Sequence, residues 1–171
     1  MDRSGDVLDL SGEHLSSGEG RRVAAAVTVE PLELAGQRYV ADPPRPEVGL
    51  DISRTTSGFA LRIRYEVQLH GPCMRCLEEA DCQLAVDARE VDQPGGPEEL
   101  RSPYLDGTEL DIGSWAREAL VLAMPAKILC REHCLGLCPV CGVNINAAGP
   151  EHRHEPPRDS RWAPLDELRL E

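Results

Sequence analysis

Apolar and polar residues alternate along two long runs in the first half of the chain. From residue 59 to residue 70, the apolar positions are Phe59, Leu61, Ile63, Tyr65, Val67 and Leu69. The alternation resumes over residues 82–89. A period of two over twelve residues predicts a strand rather than a helix. We therefore expect the two runs to pair antiparallel, with Cys73 and Cys76 in the turn between them.

Shorter alternating stretches predict further strands. Residues 7–10 suit an edge strand, and the apolar positions of residues 22–30, 37–41 and 48–53 suit three more. Prolines at 31 and 43 end the first two of these three, because proline lacks the N–H that a ladder needs. Residues 93–106 are irregular and acidic, and predict a loop.

The apolar period then changes from two to about 3.6. Asp111 is the predicted N-cap of a helix that Pro125 ends. One face of this helix carries Ile112, Trp115, Ala116, Ala119, Leu120 and Ala123. A stripe of this kind is typical of a helix packed on a core.

Cysteine spacing adds a candidate chemistry. Four of the seven cysteines lie between Cys130 and Cys141, and Cys138-Pro-Val-Cys141 repeats the spacing of Cys73-Met-Arg-Cys76. A pair of thiolates separated by two residues suits a tetrahedral zinc ion. The thioredoxin-type alternative needs a helix after the pair, and neither pair has a good one. Cys82 stands apart in an alternating run and is predicted to be a small core residue.

The remaining cysteines and two histidines match the number of ligands that two tetrahedral ions need. We favour two zinc ions. The first is held by Cys73, Cys76, Cys130 and Cys134, and the second by Cys138, Cys141, His152 and His154. The rival grouping is a single ion held by Cys73, Cys76, Cys138 and Cys141, with the other four side chains idle.

The patterns together predict an α+β fold, with a mainly antiparallel β-sheet packed against one central helix and a C-terminal zinc-knuckle region. We expect the 171 residues to form a single domain. Its parts are a β-rich segment over 20–92, a loop over 93–110, a helix over 111–129, and the zinc-knuckle region and tail over 130–171. Trp162, Leu165 and Leu168 suit a last helical turn.

Charge narrows the choice of partners. Thirty acidic residues face eighteen lysines and arginines, which gives a net charge of −12. Nucleic-acid binding through phosphates needs a basic stripe, so this balance favours basic protein partners instead. No apolar run is long enough for a membrane span, and the polar start lacks the apolar part of a secretion signal. We expect a cytoplasmic protein, where clustered cysteines favour metal over disulfides.

The motifs resemble those of the YceD-like proteins of bacteria and plastids, described as large ribosomal RNA subunit accumulation proteins. The resemblance is carried by Cys73-Met-Arg-Cys76-Leu77, by Asp111-Ile-Gly with the following helix to Met124-Pro125, by the segment from Cys134 to Asn146, and by Ser160-Arg-Trp-Ala-Pro-Leu165. Many members carry Cys-x-Cys where this chain has His152-Arg-His154, which exchanges one zinc ligand for another. Ser160 also stands where proline is usual.

The resemblance implies a role in the synthesis, processing or stability of 23S ribosomal RNA during large-subunit assembly, without catalytic activity. We favour a factor that reaches the RNA through a basic ribosomal protein or another assembly factor, because the chain is acidic. One alternative is a direct RNA-binding zinc module that uses Arg75, Arg131, Arg153, Arg158 and Arg161 with Trp162 as a stacking surface. The other is an enzyme, either a zinc hydrolase or a dithiol oxidoreductase. Glu132 and Glu151 flank the ligands, but their spacing does not mark a general base.

Overall fold

A computed structural model describes residues 6–149 and 151–154, and these residues form mostly antiparallel sheet with few helices. The strands are β1 (Val7–Asp9), β2 (Gly20–Ala26), β3 (Leu32–Leu34), β4 (Gln37–Asp42), β5 (Glu47–Arg54), β6 (Phe59–Pro72), β7 (Glu79–Asp92), β8 (Leu105–Asp106) and β9 (Glu109–Asp111). The helices are α1 (Ile112–Ala123) and α2 (Ile145–Ala148), with short 3-10 helices at Leu10–Glu13 and Glu98–Leu100. The mainly antiparallel β-sheet that the sequence predicts is confirmed.

The larger sheet is built around β6. Strand β7 pairs with β6 along its whole length, from Phe59 opposite Asp92 to Pro72 opposite Glu79. On the other edge of β6, β5 pairs with the first half and β4 with the second. The apolar residues of the predicted row in β6 are all buried. The period-two pattern therefore marks the face of β6 that lies on the core.

A second, three-stranded sheet joins the start of the described chain to the segment before α1. Strand β1 pairs with β9, which pairs with β8, in the order β1-β9-β8. Strand β1 is the predicted edge strand, whereas β8 and the first two residues of β9 lie in the stretch 93–110 that the sequence predicts to be loop. Strand β3 was not predicted either. Strands of two or three residues are too short to show a period of two.

Helix α1 begins where the sequence predicts and ends just before Pro125, although the segment assigned to it runs to residue 129. The Asp111 carboxylate accepts the N–H of Ser114 at 2.9 Å, which makes Asp111 the N-cap. The helix ends at Ala123, so residues 124–129 of the predicted helix 111–129 are not helical. Pro125 explains this, because the residue before a proline is disfavoured in helical conformation.

Two contacts tie α1 to the rest of the molecule. The hydroxyl of Tyr65, on β6, donates to the carbonyl of Ala116 at 2.6 Å. The ring of Tyr104 stacks on Trp115, with ring centroids 6.1 Å apart. The helix also contacts β7 and β1. Its predicted apolar face is buried except for Ala123, which is exposed.

The segment after Cys141 forms one isolated bridge and a short helix. Asn144 forms an isolated bridge with Leu137, and its side chain then accepts the N–H of Asn146 at 3.0 Å and starts α2. Asparagine favours this N-cap role because its side chain satisfies a free backbone donor. The tail motif with Ser160 and the predicted turn at Trp162 lie outside the described residues. Within the described residues, no helix is long and apolar enough to cross a membrane.

Candidate metal centres

Four cysteines from two distant parts of the chain meet at the end of the β6–β7 hairpin. Their sulfurs lie within 4.8 Å of one another, and we call this group the four-cysteine centre: Cys73, Cys76, Cys130 and Cys134. The Sγ atoms of Cys73 and Cys134 are 3.7 Å apart, and those of Cys76 and Cys130 are 3.5 Å apart. All four are free thiols, and only Cys130 is partly exposed.

The hairpin turn fixes the first pair of sulfurs. The N–H of Leu77 donates to the carbonyl of Cys73 at 3.0 Å, and the N–H of Cys73 donates to the carbonyl of Glu78 at 2.7 Å. Leu77 has a φ of 63°, in the left-handed region. This tight turn brings the thiols of Cys73 and Cys76 to one side, because the chain reverses between them and β7.

The segment after α1 carries the second pair of cysteines, Cys130 and Cys134, and packs against the same turn. The N–H of Met74 donates to the carbonyl of Ile128 at 2.9 Å, and Ile128 is buried. The guanidinium of Arg75 donates to the carbonyl of Cys134 at 2.7 Å. These bonds hold Cys130 and Cys134 against the hairpin turn.

The surroundings lower the pKa of the Cys73 thiol and raise the pKa of the Cys76 thiol. Burial acts to raise the pKa of Cys73, but backbone N–H groups, among them that of Arg75, outweigh it and lower the pKa to about 6. Burial raises the pKa of Cys76 to about 12, and the neighbouring thiols act in the same direction. Metal binding deprotonates coordinating thiols. The Cys73 environment therefore already favours the form that a metal needs.

A second group of four donors, the Cys2His2 centre, consists of Cys138, Cys141, His152 and His154. The Nε2 atom of His154 lies 3.2 Å from the Cys141 Sγ and 3.0 Å from the His152 Nε2. The His152 Nε2 is 3.5 Å from the Cys141 Sγ. The backbone N–H of Cys141 and then the His152 ring lower the pKa of Cys138 to about 6. This centre is more exposed than the first.

The two CxxC turns share one backbone geometry. The N–H of Gly142 donates to the carbonyl of Cys138 at 2.8 Å, just as Leu77 donates to Cys73. Gly142 has a φ of 73°, close to the 63° of Leu77. The second turn thus uses glycine where the first uses leucine, although leucine is disfavoured in this conformation.

Two asparagines support the four-cysteine centre from the segment after the second turn. The amide Nδ2 of Asn146 donates to the Sγ of Cys134 at 3.4 Å, and its Oδ1 accepts the N–H of Leu135 at 2.8 Å. Asn144 donates to the Glu78 carboxylate at 3.2 Å. The spacing of cysteines and histidines predicts no role for these asparagines. Their signal was their position directly after the CPxCG motif.

Backbone contacts join the two turns into one body. The N–H of Leu137 donates to the carbonyl of Arg75 at 3.1 Å, and the N–H of Ile145 donates to the carbonyl of Gly136 at 2.9 Å. A Cβ at Gly136 would lie 3.2 Å from the Arg75 carbonyl oxygen, and φ there is 83°. Glycine allows this close approach because it has no side chain and tolerates positive φ.

The structure brings the eight predicted side chains together in the two favoured groups, and it separates the four that the single-ion grouping would combine. Each group offers four donor atoms, which is enough to hold a metal ion. Cys82 lies on β7, opposite Leu69 of β6, and belongs to neither group. It is half-buried against the core rather than fully enclosed.

Comparison with known proteins places the chain among relatives whose own roles are not described. Uncharacterized proteins of Mycobacterium tuberculosis and Mycobacterium bovis are each 35% identical to it over 106 residues, which is 57% of this chain and 49% of the relative. The chain therefore spans about half the length of the curated relatives it matches. No solved structure matches it. The model of one family, described as large ribosomal RNA subunit accumulation protein YceD, matches residues 61–169, and the chain belongs to this family.

Proposed function

We propose that this chain is a non-enzymatic, zinc-binding factor that supports the synthesis, processing or stability of 23S ribosomal RNA during large-subunit assembly. It works in the cytoplasm, through a ribosomal protein or an assembly factor of the large subunit. The observation that carries the proposal is the family match, because residues 61–169 contain all eight candidate ligands.

Zinc is the metal that the donor atoms support. Thiolate and imidazole donors suit zinc and disfavour magnesium and calcium, which prefer oxygen. With zinc–sulfur bonds of about 2.3 Å, tetrahedral geometry separates two sulfurs by about 3.8 Å. The separations of 3.7 and 3.5 Å in the four-cysteine centre are close to this value. Cys73, Cys76, Cys130 and Cys134 would hold one ion, and Cys138, Cys141, His152 and His154 the other.

Both ions would be structural. A catalytic zinc site keeps one position for water or substrate, whereas each group here supplies four protein donors. The four-cysteine centre joins the hairpin turn to a segment 54 residues away. We accordingly propose that the 171 residues fold as one domain, with this centre as a cross-link between its β-rich part and its C-terminal region.

Charge supports a protein partner rather than direct contact with RNA. Arg62 and Arg64 lie on the solvent-facing side of β6, and both are paired with carboxylates. Arg62 donates to Asp87 at 2.7 Å, and Arg64 donates to Asp51 at 2.6 Å. These arginines are therefore largely neutralised. With a net charge of −12, the chain suits a basic partner such as a ribosomal protein.

The function is tested by depleting the chain in its own host and measuring 23S relative to 16S ribosomal RNA. We expect the ratio to fall and to recover when the wild-type gene is returned. A gene with Cys76→Ser should fail to restore the ratio, whereas Cys82→Ser should succeed, because Cys82 lies outside both centres. An unchanged ratio after depletion would reject the proposed function.

Direct RNA binding is separated from the partner route by the purified protein. Retention of 23S ribosomal RNA that falls steeply with salt would indicate phosphate contacts. We expect no retention until protein from the large subunit is added.

A further inference from the structure

An open groove lies where the β6–β7 hairpin meets β4. Its volume is about 630 Å³, and its lining includes Val40, His70, Pro72, Leu77, Glu79 and Asp81. We call it the hairpin groove. It lies beside the turn that carries Cys73 and Cys76, but its lining includes neither thiol. The groove is thus a separate surface next to the four-cysteine centre.

Strand register shows how the groove is built. Val40 on β4 lies opposite His70 on β6, and His70 lies opposite Asp81 on β7. Side chains opposite one another on neighbouring strands share a face, with Cβ atoms about 5 Å apart. Val40, His70 and Asp81 therefore form one row across three strands. Val40 and Asp81 are exposed and His70 is half-buried, so this row is on the solvent side of the sheet.

Two exposed apolar side chains line the groove. Val40 is 43% exposed and Leu77 is 55% exposed. Leu77 also has a φ of 63°, where Gly142 serves in the equivalent turn. A left-handed conformation is disfavoured for any residue with a side chain. Leucine at this position is unfavourable both for the backbone and for hydration, and contact with a partner would explain its presence.

Carboxylates surround these apolar side chains. The Asp81 carboxylate contacts the His70 Nδ1 at 2.6 Å, and the Asp42 carboxylate lies 3.6 Å from the His70 Nε2. Both carboxylates are exposed, as is Glu79. Within the part of the chain that the structure describes, no lysine or arginine lines the groove. Glu79 and Asp81 thus present exposed carboxylates inside the groove, and Asp42 presents one beside His70 at its edge.

The floor of the groove is packed and preformed. The Tyr39 ring is buried beneath Gly71, where a Cβ would overlap it. The Tyr39 hydroxyl donates to the carbonyl of Pro72 at 2.8 Å. A surface that needs little rearrangement loses less entropy when it binds.

We propose that the hairpin groove binds an extended, lysine- and arginine-rich segment of a large-subunit protein that carries an aliphatic side chain. The aliphatic side chain packs between Val40 and Leu77, and the flanking cations pair with Asp42, Glu79 and Asp81. The same carboxylates repel the phosphates of RNA. This inference rests on the proposed function for its choice of partner.

The partner is tested by photo-crosslinking. A benzoylphenylalanine at Val40 is illuminated with total protein extracted from purified large ribosomal subunits, and the crosslinked peptides are sequenced. The control places the same group at Leu122, which is 86% exposed on α1. We expect Val40 alone to capture a basic segment with an aliphatic residue at the crosslink. Equal capture at both positions, or no capture at Val40, would overturn the proposal.

The chemistry is tested with a fluorescent peptide, Lys-Arg-Lys-Leu-Lys-Arg-Lys, and a copy in which serine replaces the leucine. We expect Leu77→Gly to weaken binding of the leucine peptide about tenfold and to leave the serine peptide unaffected. Its melting temperature should not fall, because glycine suits the backbone at this position. Equal binding of both peptides by the wild-type protein would overturn the aliphatic contact.

Charge is tested with two variants that remove the same net charge. Asp42→Asn with Asp81→Asn should weaken binding of the leucine peptide about tenfold at low salt, and Glu98→Gln with Glu99→Gln should not. Equal losses of affinity in both variants would overturn the proposal that the peptide binds in the groove, and would indicate only non-specific electrostatic attraction. Dimers that dissociate in Leu77→Gly, or RNA that crosslinks at Val40, would also overturn it.

Failure here is distinguishable from failure of the proposed function. If depletion lowers the 23S ratio but the variant with Asp42→Asn and Asp81→Asn restores it fully, the function stands and the groove is wrong. If depletion leaves the ratio unchanged, the function is wrong whatever the groove binds.

Discussion

The side-chain amide of Asn146 donates to the sulfur of Cys134 at 3.4 Å. The residue that donates belongs to the segment after the second CxxC turn, and the sulfur belongs to the four-cysteine centre. A hydrogen bond to a ligand atom orients it and adjusts its affinity for metal. The two candidate centres are therefore linked through one side chain, although each has its own four donors.

Replacing Asn146 with alanine should weaken zinc binding at the four-cysteine centre roughly 10- to 100-fold, the usual effect of removing a partner of a metal ligand. Zinc affinity is measured by competition with a chromogenic chelator. Gln83→Ala, an exposed change on β7, is the control and should leave the affinity unchanged. Equal affinities in all three proteins would show that the Asn146 contact does not matter.

Metal counting tests the division of ligands. The two groups predict two zinc ions per chain, falling to one when His152 and His154 are both replaced by alanine. Replacing His14 and His133, which lie outside both groups, should leave two. Elemental analysis of the purified proteins gives the count. One ion per chain, unchanged by the first double substitution, would favour the single-ion grouping.

Removing the metal should loosen the fold. Structural zinc contributes on the order of 10 kcal/mol in finger peptides, against a total stability of roughly 5–15 kcal/mol for a domain. A strong chelator should therefore lower the melting temperature and speed amide exchange at Ile128 and in the segment after it. A sample that is free of zinc yet keeps its melting temperature would show that the sites are not structural.

Gly71→Ala should destabilise the protein by roughly 1–3 kcal/mol, the usual cost of overpacking. The new methyl group would overlap the buried ring of Tyr39. Gly49→Ala is the matched control, since its nearest neighbour is the Arg64 carbonyl oxygen at 3.6 Å and it also lies in a strand. Urea unfolding measures both. Similar losses of stability in the two variants would mean that the Tyr39 ring can move to accommodate the new methyl group at little cost.

The Asp51 ion pairs should make stability depend on acid pH. Arg22 and then Arg64 hold the pKa of Asp51 below its ordinary value of 3.8, although burial opposes them. A lowered folded-state pKa stabilises the protein above pH 3.8, and this contribution is lost as the pH falls through the folded-state pKa.

Asp51→Asn should therefore cost less than about 1 kcal/mol near pH 7 and nothing at the lowest pH. Urea unfolding of wild type and variant at several pH values gives the difference between their free energies of unfolding. Any metal released by acid is lost from both proteins, so it does not affect this difference. The exposed Glu99→Gln should show no such trend. A difference that grows as the pH falls would contradict the assignment.

The fold was predictable where the chain repeats a period for long enough. Strands β6 and β7 carry 14 residues each, so their buried rows are evident in the sequence. Strands β3, β8 and β9 have only two or three residues, and their existence depends on pairing partners elsewhere in the chain. The end of α1 reflects Pro125, which the sequence shows, and residues 124–129 after it are not helical.

The grouping of the eight candidate donors was predictable from the sequence, but the side chains that support them were not. Sulfur and imidazole spacing suggested two sets of four, and the structure assembles the same sets. The contacts of Arg75 with Cys134 and of Asn146 with Cys134 join residues 59 and 12 positions apart. Such contacts depend on how the two turns pack, which no local spacing encodes.

The separation of the ligands along the chain has a consequence for synthesis. Cys76 meets a sulfur 54 positions later, and Cys73 meets one 61 positions later, whereas the contacts between Cys141 and the histidines span 11 and 13. A chain made from its N-terminus completes the β6–β7 hairpin while half of the first ligand set is still untranslated. Until Cys134 emerges from the ribosome, the nascent protein carries two unpaired thiols at the tip of a finished hairpin. A metal ion that needs all four sulfurs can bind there only late in translation.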